Sequence, residues 1–184
     1  MSGDRYKIVD QNVPYFLTFT VIDWVDVFSN ADYKMELVDS MNFCTQQKGL
    51  TVYGWVIMSN HMHAIWQAKD GFYLSSIIRD FKKHTAKQII QVIEGGTDGR
   101  KKWMLNKFAF AGRRLNRISK YKFWQDRNHA IQLEPQNTII IQQKLDYIHN
   151  NPVKAMYVNS PEDYVFSSAI DYTGGKGLVQ ITKV

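Results

Sequence analysis

Two histidines lie two residues apart in a segment whose composition is otherwise typical of buried strand, Val56-Ile57-Met58-Ser59-Asn60-His61-Met62-His63-Ala64-Ile65-Trp66. The residues around Ser59-Asn60 predict two strands, 51–58 and 61–67, joined by a tight turn. Because successive side chains of a strand point to opposite faces, His61 and His63 share one face and Met62 takes the other. The segment therefore predicts a rigid hairpin that presents two imidazoles together, which is half of a metal site.

Other elements follow from composition and spacing. Aromatic and β-branched residues predict a first strand over 15–22, and Asn30 or Ser29 is a suitable cap for a helix over 31–47. Apolar residues at helical spacing predict a second helix over 74–93. Residues up to about 121 then fit either a short helix or an arm that orders on a ligand.

The last elements are a short strand over 129–133 and a helix that runs to about Asn150. Pro135 fits the first turn of this helix, and Pro152 is expected to end it. The order of elements predicts an α+β chain of ferredoxin-like type, an antiparallel sheet with helices on one face and the hairpin at its centre. We expect one domain over 1–184, with a core over about 13–172 and a loose tail over 173–184.

Positive charge is concentrated in one part of the chain. The net charge is +6, but residues 74–122 hold thirteen basic residues against three acidic ones. Aromatic residues lie among or next to these charges, including Trp103, Phe108, Phe110, Tyr121, Phe123 and Trp124. Cations attract phosphates and flat rings stack on unpaired bases, so the stretch fits a nucleic-acid surface. A solvated lysine-rich face is the alternative.

The chain has a single cysteine, Cys44, which excludes an intramolecular disulfide and fits a reducing cytoplasm. It has no apolar run of eighteen residues and no signal sequence at residues 1–5, so no membrane partner is expected.

The surroundings of the histidines favour ligation. Tyr53, Trp55 and Ile57 on the preceding strand are expected to surround the pair with apolar groups, which favours neutral imidazoles. Such a pair suits Mn, Zn, Fe or Mg with help from oxygen ligands. Two partly exposed strand histidines without a metal remain the alternative.

Tyr147 lies on a helical stripe with Ile140, Lys144 and Asn151. It is either a core tyrosine or a nucleophile. A nucleophilic phenol needs a cation or metal nearby, and Lys144 is one turn away while Asn151 offers an amide oxygen. Asn151 precedes a proline, and a residue in that position is disfavoured in helical conformation. The helical spacing between Tyr147 and Asn151 is therefore in question.

Four segments in order carry a resemblance to a known family: Ser59-Asn60-His61-Met62-His63, Phe123-Trp124-Gln125, residues 147–155 (Tyr-Ile-His-Asn-Asn-Pro-Val-Lys-Ala) and residues 161–169 (Pro-Glu-Asp-Tyr-Val-Phe-Ser-Ser-Ala). Together they resemble the single-tyrosine HUH transposases of bacterial insertion sequences, above all the REP-associated tyrosine transposases. One departure is Met156, where relatives usually have glycine.

This resemblance implies the ferredoxin-like sheet and a DNA strand-transfer enzyme. It implies that His61, His63 and Asn151 hold one Mg²⁺ or Mn²⁺ ion and that Tyr147 attacks a phosphodiester of hairpin-forming single-stranded DNA, leaving a 5′-phosphotyrosine and a 3′-hydroxyl. Lys144 would steady the phosphate, and we expect the DNA surface to include Lys82, Lys83, Arg113, Arg114 and Arg117. Relatives include both homodimers and monomers.

Three readings therefore stand at this point. The first is the strand-transfer endonuclease, acting in the cytoplasm on nucleoid DNA. The second is a catalytically silent single-stranded nucleic-acid-binding protein on the same fold. The third is a hydrolase that activates water, which the pairing of two histidines with one amide and no nearby carboxylate disfavours.

Overall fold

The computed structural model describes residues 7–113 and 120–184. The strands are β1 (Tyr15–Thr20), β2 (Leu50–Ile57), β3 (His61–Ala68) and β4 (Ile131–Gln132). The α-helices are α1 (Ala31–Gln47), α2 (Leu74–Gly95), α3 (Lys101–Arg113), α4 (Thr138–Lys154) and α5 (Ala169–Tyr172). The α+β class is confirmed, and the uncertain basic stretch contains a helix, α3.

The four strands form an antiparallel sheet in the order β2-β3-β1-β4. The strand that carries the histidines, β3, lies in its interior as predicted. The prediction that the whole hairpin is central is wrong, because β2 lies at one edge. The C-terminal segment covers that edge: Ser168 N donates to Trp55 O (3.0 Å) and Thr182 N donates to Val52 O (2.8 Å). The prediction of a loose tail over 173–184 is therefore also wrong.

Helices cover both faces of the sheet rather than the one face predicted. On one face α1 and α2 pack over alternate strand residues, among them Leu17, Phe19 and Trp66. On the other face α4 packs Ile141, Leu145 and Ile148 against residues that include Phe16 and Ile65. Each face thus has its own apolar core, and α4 is held over the strand face that carries the histidines.

A β-bulge in β2 decides which side chains face the histidines. Val52 pairs with Trp66 and Gly54 with Ile65, so Tyr53 is an extra residue in β2. A bulge shifts the alternation of side chains by one position. Trp55 consequently points into the α1–α2 core and Val56 lies opposite His63. The prediction that Trp55 and Ile57 surround the histidine pair is wrong for this reason.

Helix α4 differs from prediction at both ends. It begins at Thr138, where Asn137 Oδ1 accepts from Ile140 N (3.2 Å), rather than at Pro135. It continues through Pro152 to Lys154, with Asn151 O accepting from Ala155 N (2.9 Å). Asn151 therefore keeps its helical spacing from Tyr147, despite the proline that follows it.

The backbone two residues after this helix suits the glycine that the resemblance implies there. Met156 has φ 58°, in the left-handed region that favours glycine. Its side chain is exposed, so the substitution strains the backbone without creating a clash in the core.

Candidate active site

The two histidines lie side by side on one face of β3. Their ring centroids are 4.8 Å apart and the ring planes are inclined by 73°. On the neighbouring strand, Thr18 pairs with His63 and Thr20 with His61. The sequence prediction that both imidazoles share a face is confirmed.

Hydrogen bonds orient both rings through Nδ1. His61 Nδ1 lies 2.7 Å from Asn60 Oδ1, an acceptor, so Nδ1 donates and Nε2 carries the lone pair. His63 Nδ1 lies 2.9 Å from Thr18 Oγ1. Partners that fix the second nitrogen of a ligating histidine are a regular feature of metal sites. Asn60 and Thr18 thus engage the Nδ1 atoms, so Nε2 of each ring is the candidate metal ligand.

The site keeps both imidazoles neutral. Burial lowers the pKa of His61. Burial, together with smaller repulsive contributions from His61 and Lys144, lowers the pKa of His63 to about 3. A neutral imidazole is the form that binds a metal. At neutral pH the pair is therefore ready to ligate without losing a proton first.

Tyr147 lies against this pair. Its ring centroid is 5.2 Å from that of His63. Phe16 completes the cluster, stacked on His63 at 5.3 Å and edge-on to Tyr147 at 5.9 Å. The Tyr147 side chain is 42 % exposed, so a large substrate can reach it. The histidines and Tyr147 come together within a single chain.

Two lysines flank Tyr147 along α4. Lys144 Nζ lies 4.9 Å from the centroid of the Phe16 ring, and Lys154 Nζ lies 5.7 Å from that of Tyr147. Sequence reasoning identified Lys144 and missed Lys154. Its spacing of seven residues from Tyr147, two helical turns, was the available signal. Both ammonium groups thus lie against the cluster of aromatic rings that contains Tyr147.

The donors of this site fit a divalent cation. No group of three His, Cys, Asp or Glu side chains that could hold a metal occurs within 7–113 and 120–184. Two neutral imidazoles supplemented by an amide oxygen are a suitable donor set. Asn151 is one turn from Tyr147, and its Nδ2 donates to Tyr147 O (2.8 Å), so Oδ1 is the candidate ligand. Ligation by Asn151 stays a prediction.

The phenols of three other tyrosines donate hydrogen bonds elsewhere in the fold. Tyr164 Oη donates to Ile57 O and Tyr172 Oη to Tyr53 O, both at 2.8 Å, while Tyr121 Oη donates to Glu94 Oε1 at 3.0 Å. Burial raises the pKa of Tyr172 to about 12 and that of Tyr164 further still. These three phenols are therefore tied to structural roles.

The predicted DNA-binding cations fall into three groups. Lys83 and Arg113 are exposed, on α2 and α3. Lys82 is mostly buried, and its Nζ donates to Gln125 O (2.6 Å) and Asn128 Oδ1 (2.7 Å). Its ammonium group therefore joins α2 to the segment that precedes β4. Arg114 and Arg117 lie outside the described residues. DNA contact stays a prediction for all five.

Within the described part of the chain, no helix is long and apolar enough to cross a membrane.

Comparison with solved structures supports the fold. The chain is similar to a structure described as that of "the REP associates tyrosine transposase bound to a REP hairpin", with 21% identity and a TM-score of 0.66, over 100% of this chain and 93% of that chain. It is also similar to a Deinococcus radiodurans R1 protein assigned as a transposase, with 15% identity and a TM-score of 0.44, over 81% of this chain and 98% of that one. The second likeness is too weak to carry an argument.

A comparison with curated proteins found no match. Residues 11–110, more than half of the chain, match the family model described as "Transposase IS200 like". The matched range contains both histidines and ends before α4. The chain therefore belongs to the IS200-like transposase family, as its histidine and tyrosine motifs predicted.

Proposed function

We propose that this transposase is a metal-dependent endonuclease and strand transferase that acts on hairpin-forming single-stranded DNA through Tyr147. The observation that carries the proposal is the contact of the Tyr147 ring with His63, because it places a phenol beside two neutral imidazoles. The similarity to a REP-associated transposase bound to a hairpin supports the choice of DNA substrate.

In the proposed reaction the Tyr147 phenol oxygen attacks the scissile phosphorus and the bond from phosphorus to the 3′ oxygen breaks. The phenol proton passes to solvent, and the departing 3′ oxygen takes up a proton. The products are a 5′-phosphotyrosine and a free 3′-hydroxyl. Attack on the phosphotyrosine by a 3′-hydroxyl of the same or another strand rejoins DNA and restores the phenol. No nucleotide cofactor is needed, since the covalent link conserves the bond energy.

The surrounding residues have distinct roles in this scheme. His61, His63 and Asn151 would hold a Mg²⁺ or Mn²⁺ ion, whose chemistry is Lewis-acid polarisation of the phosphate. Lys144 and Lys154 balance the phosphate charge from either side of Tyr147. Phe16 packs against both His63 and Tyr147 and so holds α4 in register with β3. The site of action would be nucleoid DNA in the cytoplasm, by either a monomer or a homodimer.

The experiment that tests the proposal is cleavage of an end-labelled hairpin oligonucleotide with single-stranded flanks, taken from the DNA beside the gene. We expect cutting in one flank with Mn²⁺ or Mg²⁺, and none with excess chelator. Cutting at the same rate in chelator would contradict the metal assignment. Tight binding without cutting, under all metal conditions, would instead support a silent DNA-binding protein.

A further inference from the structure

Trp24 is a large exposed ring at the edge of the proposed active site. Its side chain is 58 % exposed. Its ring centroid lies 6.0 Å from that of His61, with the planes inclined by 73°. Burial of an indole is strongly favourable, so its exposure beside a candidate metal ligand needs a reason. Nothing assigned to the site so far uses this ring.

The backbone that presents Trp24 is unusual. Asp23 and Trp24 are consecutive non-glycine residues with positive φ, 52° and 55°. Left-handed backbone is disfavoured for a residue with a bulky side chain, and surrounding contacts must maintain it. Those contacts are present on both sides: Val21 N donates to Asn60 O (2.9 Å) and Phe28 N to Ser59 O (2.8 Å). Both acceptors belong to the turn that leads into His61, so Trp24 is fixed relative to the histidines.

Helix α3 continues this surface with rings and cations. Lys107 Nζ lies 3.8 Å from Asp23 Oδ2, which joins α3 to the turn that carries Trp24. Trp103 and Phe110 flank Lys107 at helical spacing on the same face, and both are about half exposed. The helix has four basic residues and no acidic one. Exposed rings beside such a charge fit a polyanion with flat, unpaired groups.

We propose that Trp24 is a stacking platform for the nucleobase next to the scissile phosphate, and that the exposed face of α3 receives the strand beyond it. This inference rests on the proposed function, because it needs single-stranded DNA at the histidines. A base in a duplex is covered on both faces, whereas an unpaired base is free to stack on the indole. Trp24 is thus expected to contact the single-stranded flank of the hairpin rather than its paired stem.

The experiment separates base stacking from phosphate attraction. Two labelled hairpins have the same stem and differ only in the flank, which is oligothymidylate in one and abasic in the other. Affinities are measured by fluorescence anisotropy for the wild type and for Trp24→Leu and Trp24→Phe. Leucine keeps an apolar side chain without a flat ring, and phenylalanine restores the ring. Phe43→Ala is the matched control, since Phe43 is an equally exposed ring on α1.

We expect Trp24→Leu to weaken binding of the thymidine flank roughly tenfold, the value for loss of one stacked base, and to leave binding of the abasic flank unchanged. Trp24→Phe should recover most of the loss, and Phe43→Ala should have no effect. Equal losses on both flanks, or no loss, would overturn the stacking role while leaving the proposed function intact if the wild type still cuts DNA. A wild type that neither binds nor cuts either hairpin would overturn both.

Discussion

The ring of Tyr147 is edge-on to that of His63, with 5.2 Å between the centroids and 68° between the planes. This contact joins α4 to β3, one of the two interior strands of the sheet. Phe16 touches both rings, so the contact is part of a packed cluster rather than an isolated approach. The proposed nucleophile and the proposed metal ligands are therefore held in one place by the fold itself.

Replacing either histidine tests the metal assignment. His61→Ala or His63→Ala should reduce DNA cleavage to background, because two imidazoles with one amide leave no spare ligand. Binding to a labelled hairpin should be largely unchanged, since we expect the basic side chains to supply most of the affinity for DNA. Cleavage at the wild-type rate by either variant in Mg²⁺ would contradict the assignment.

The hydroxyl of Thr18, which contacts His63, should strengthen metal binding. Thr18→Val removes the hydroxyl 2.9 Å from His63 Nδ1 while keeping the β-branched shape. We expect Mn²⁺ affinity, measured by titration calorimetry, to fall about 10–100-fold, the usual effect of losing a group that orients a ligand. The control is Thr51→Val, a strand threonine opposite Gln67 and away from the histidines. Equal affinities for the two variants would exclude this role for Thr18.

Adjacent lysines on α2 should behave differently. Lys82→Ala should lower the free energy of unfolding by about 1–3 kcal/mol, because two acceptors lose their donor. Lys83→Ala should change it by less than about 0.5 kcal/mol. If Lys83 contacts a phosphate, its loss should flatten the dependence of log affinity on log salt by about 0.7. Chemical denaturation and anisotropy titrations measure the two effects, and the opposite pattern would refute this division of roles.

His149 should make the fold sensitive to acid. It is buried, with Nε2 2.8 Å from Ser168 Oγ, and burial lowers its pKa from 6.5 to about 4. Between these pH values the histidine is protonated in the unfolded chain and neutral in the folded one. Its contribution to the free energy of unfolding is therefore fully present above pH 6.5 and is lost as the pH falls towards 4. The comparison variant is His149→Gln, which cannot be protonated.

In metal-free buffer the free energy of unfolding should fall less steeply with decreasing pH for His149→Gln than for the wild type, between pH 6.5 and about 4. The two slopes should differ by up to about 1.4 kcal/mol per pH unit, the contribution of one proton. Parallel curves for the variant and the wild type would show that His149 does not carry this dependence.

Local pattern predicted the hairpin, helices α1 and α2 and the common face of His61 and His63, because each depends on spacing within a few residues. The β-bulge at Tyr53 reverses the side-chain alternation of β2, and the available signal for it was Gly54, since a glycine inside a strand pattern favours a bulge. The edge position of β2 and the docked tail depend on pairing between distant segments, such as Thr182 with Val52. Sequence periodicity contains no signal for such pairing.

The candidate site divides in the same way. The histidine pattern and the motif resemblance predicted His61, His63, Tyr147 and Asn151 from the sequence alone, and helical spacing predicted Lys144. The structure places His61, His63 and Tyr147 together. Sequence reasoning did not identify Phe16, Thr18 and Trp24, which reach the site only because β1 pairs with β3 and the following turn binds the hairpin turn. Lys82 was predicted on charge, and its burial depends on the fold of the segment around Gln125 and Asn128.

The central claim is that Tyr147 forms a covalent bond with DNA. The measurement is a denaturing gel of protein mixed with internally labelled single-stranded hairpin DNA and Mn²⁺, followed by mass spectrometry of the tryptic peptide that carries the label. The wild type should give a shifted band whose nucleotide maps to Tyr147. Tyr147→Phe should give none while binding the hairpin with unchanged affinity, since the variant lacks only the attacking oxygen. A shifted band that persists in Tyr147→Phe, or a nucleotide that maps to another residue, would contradict the account.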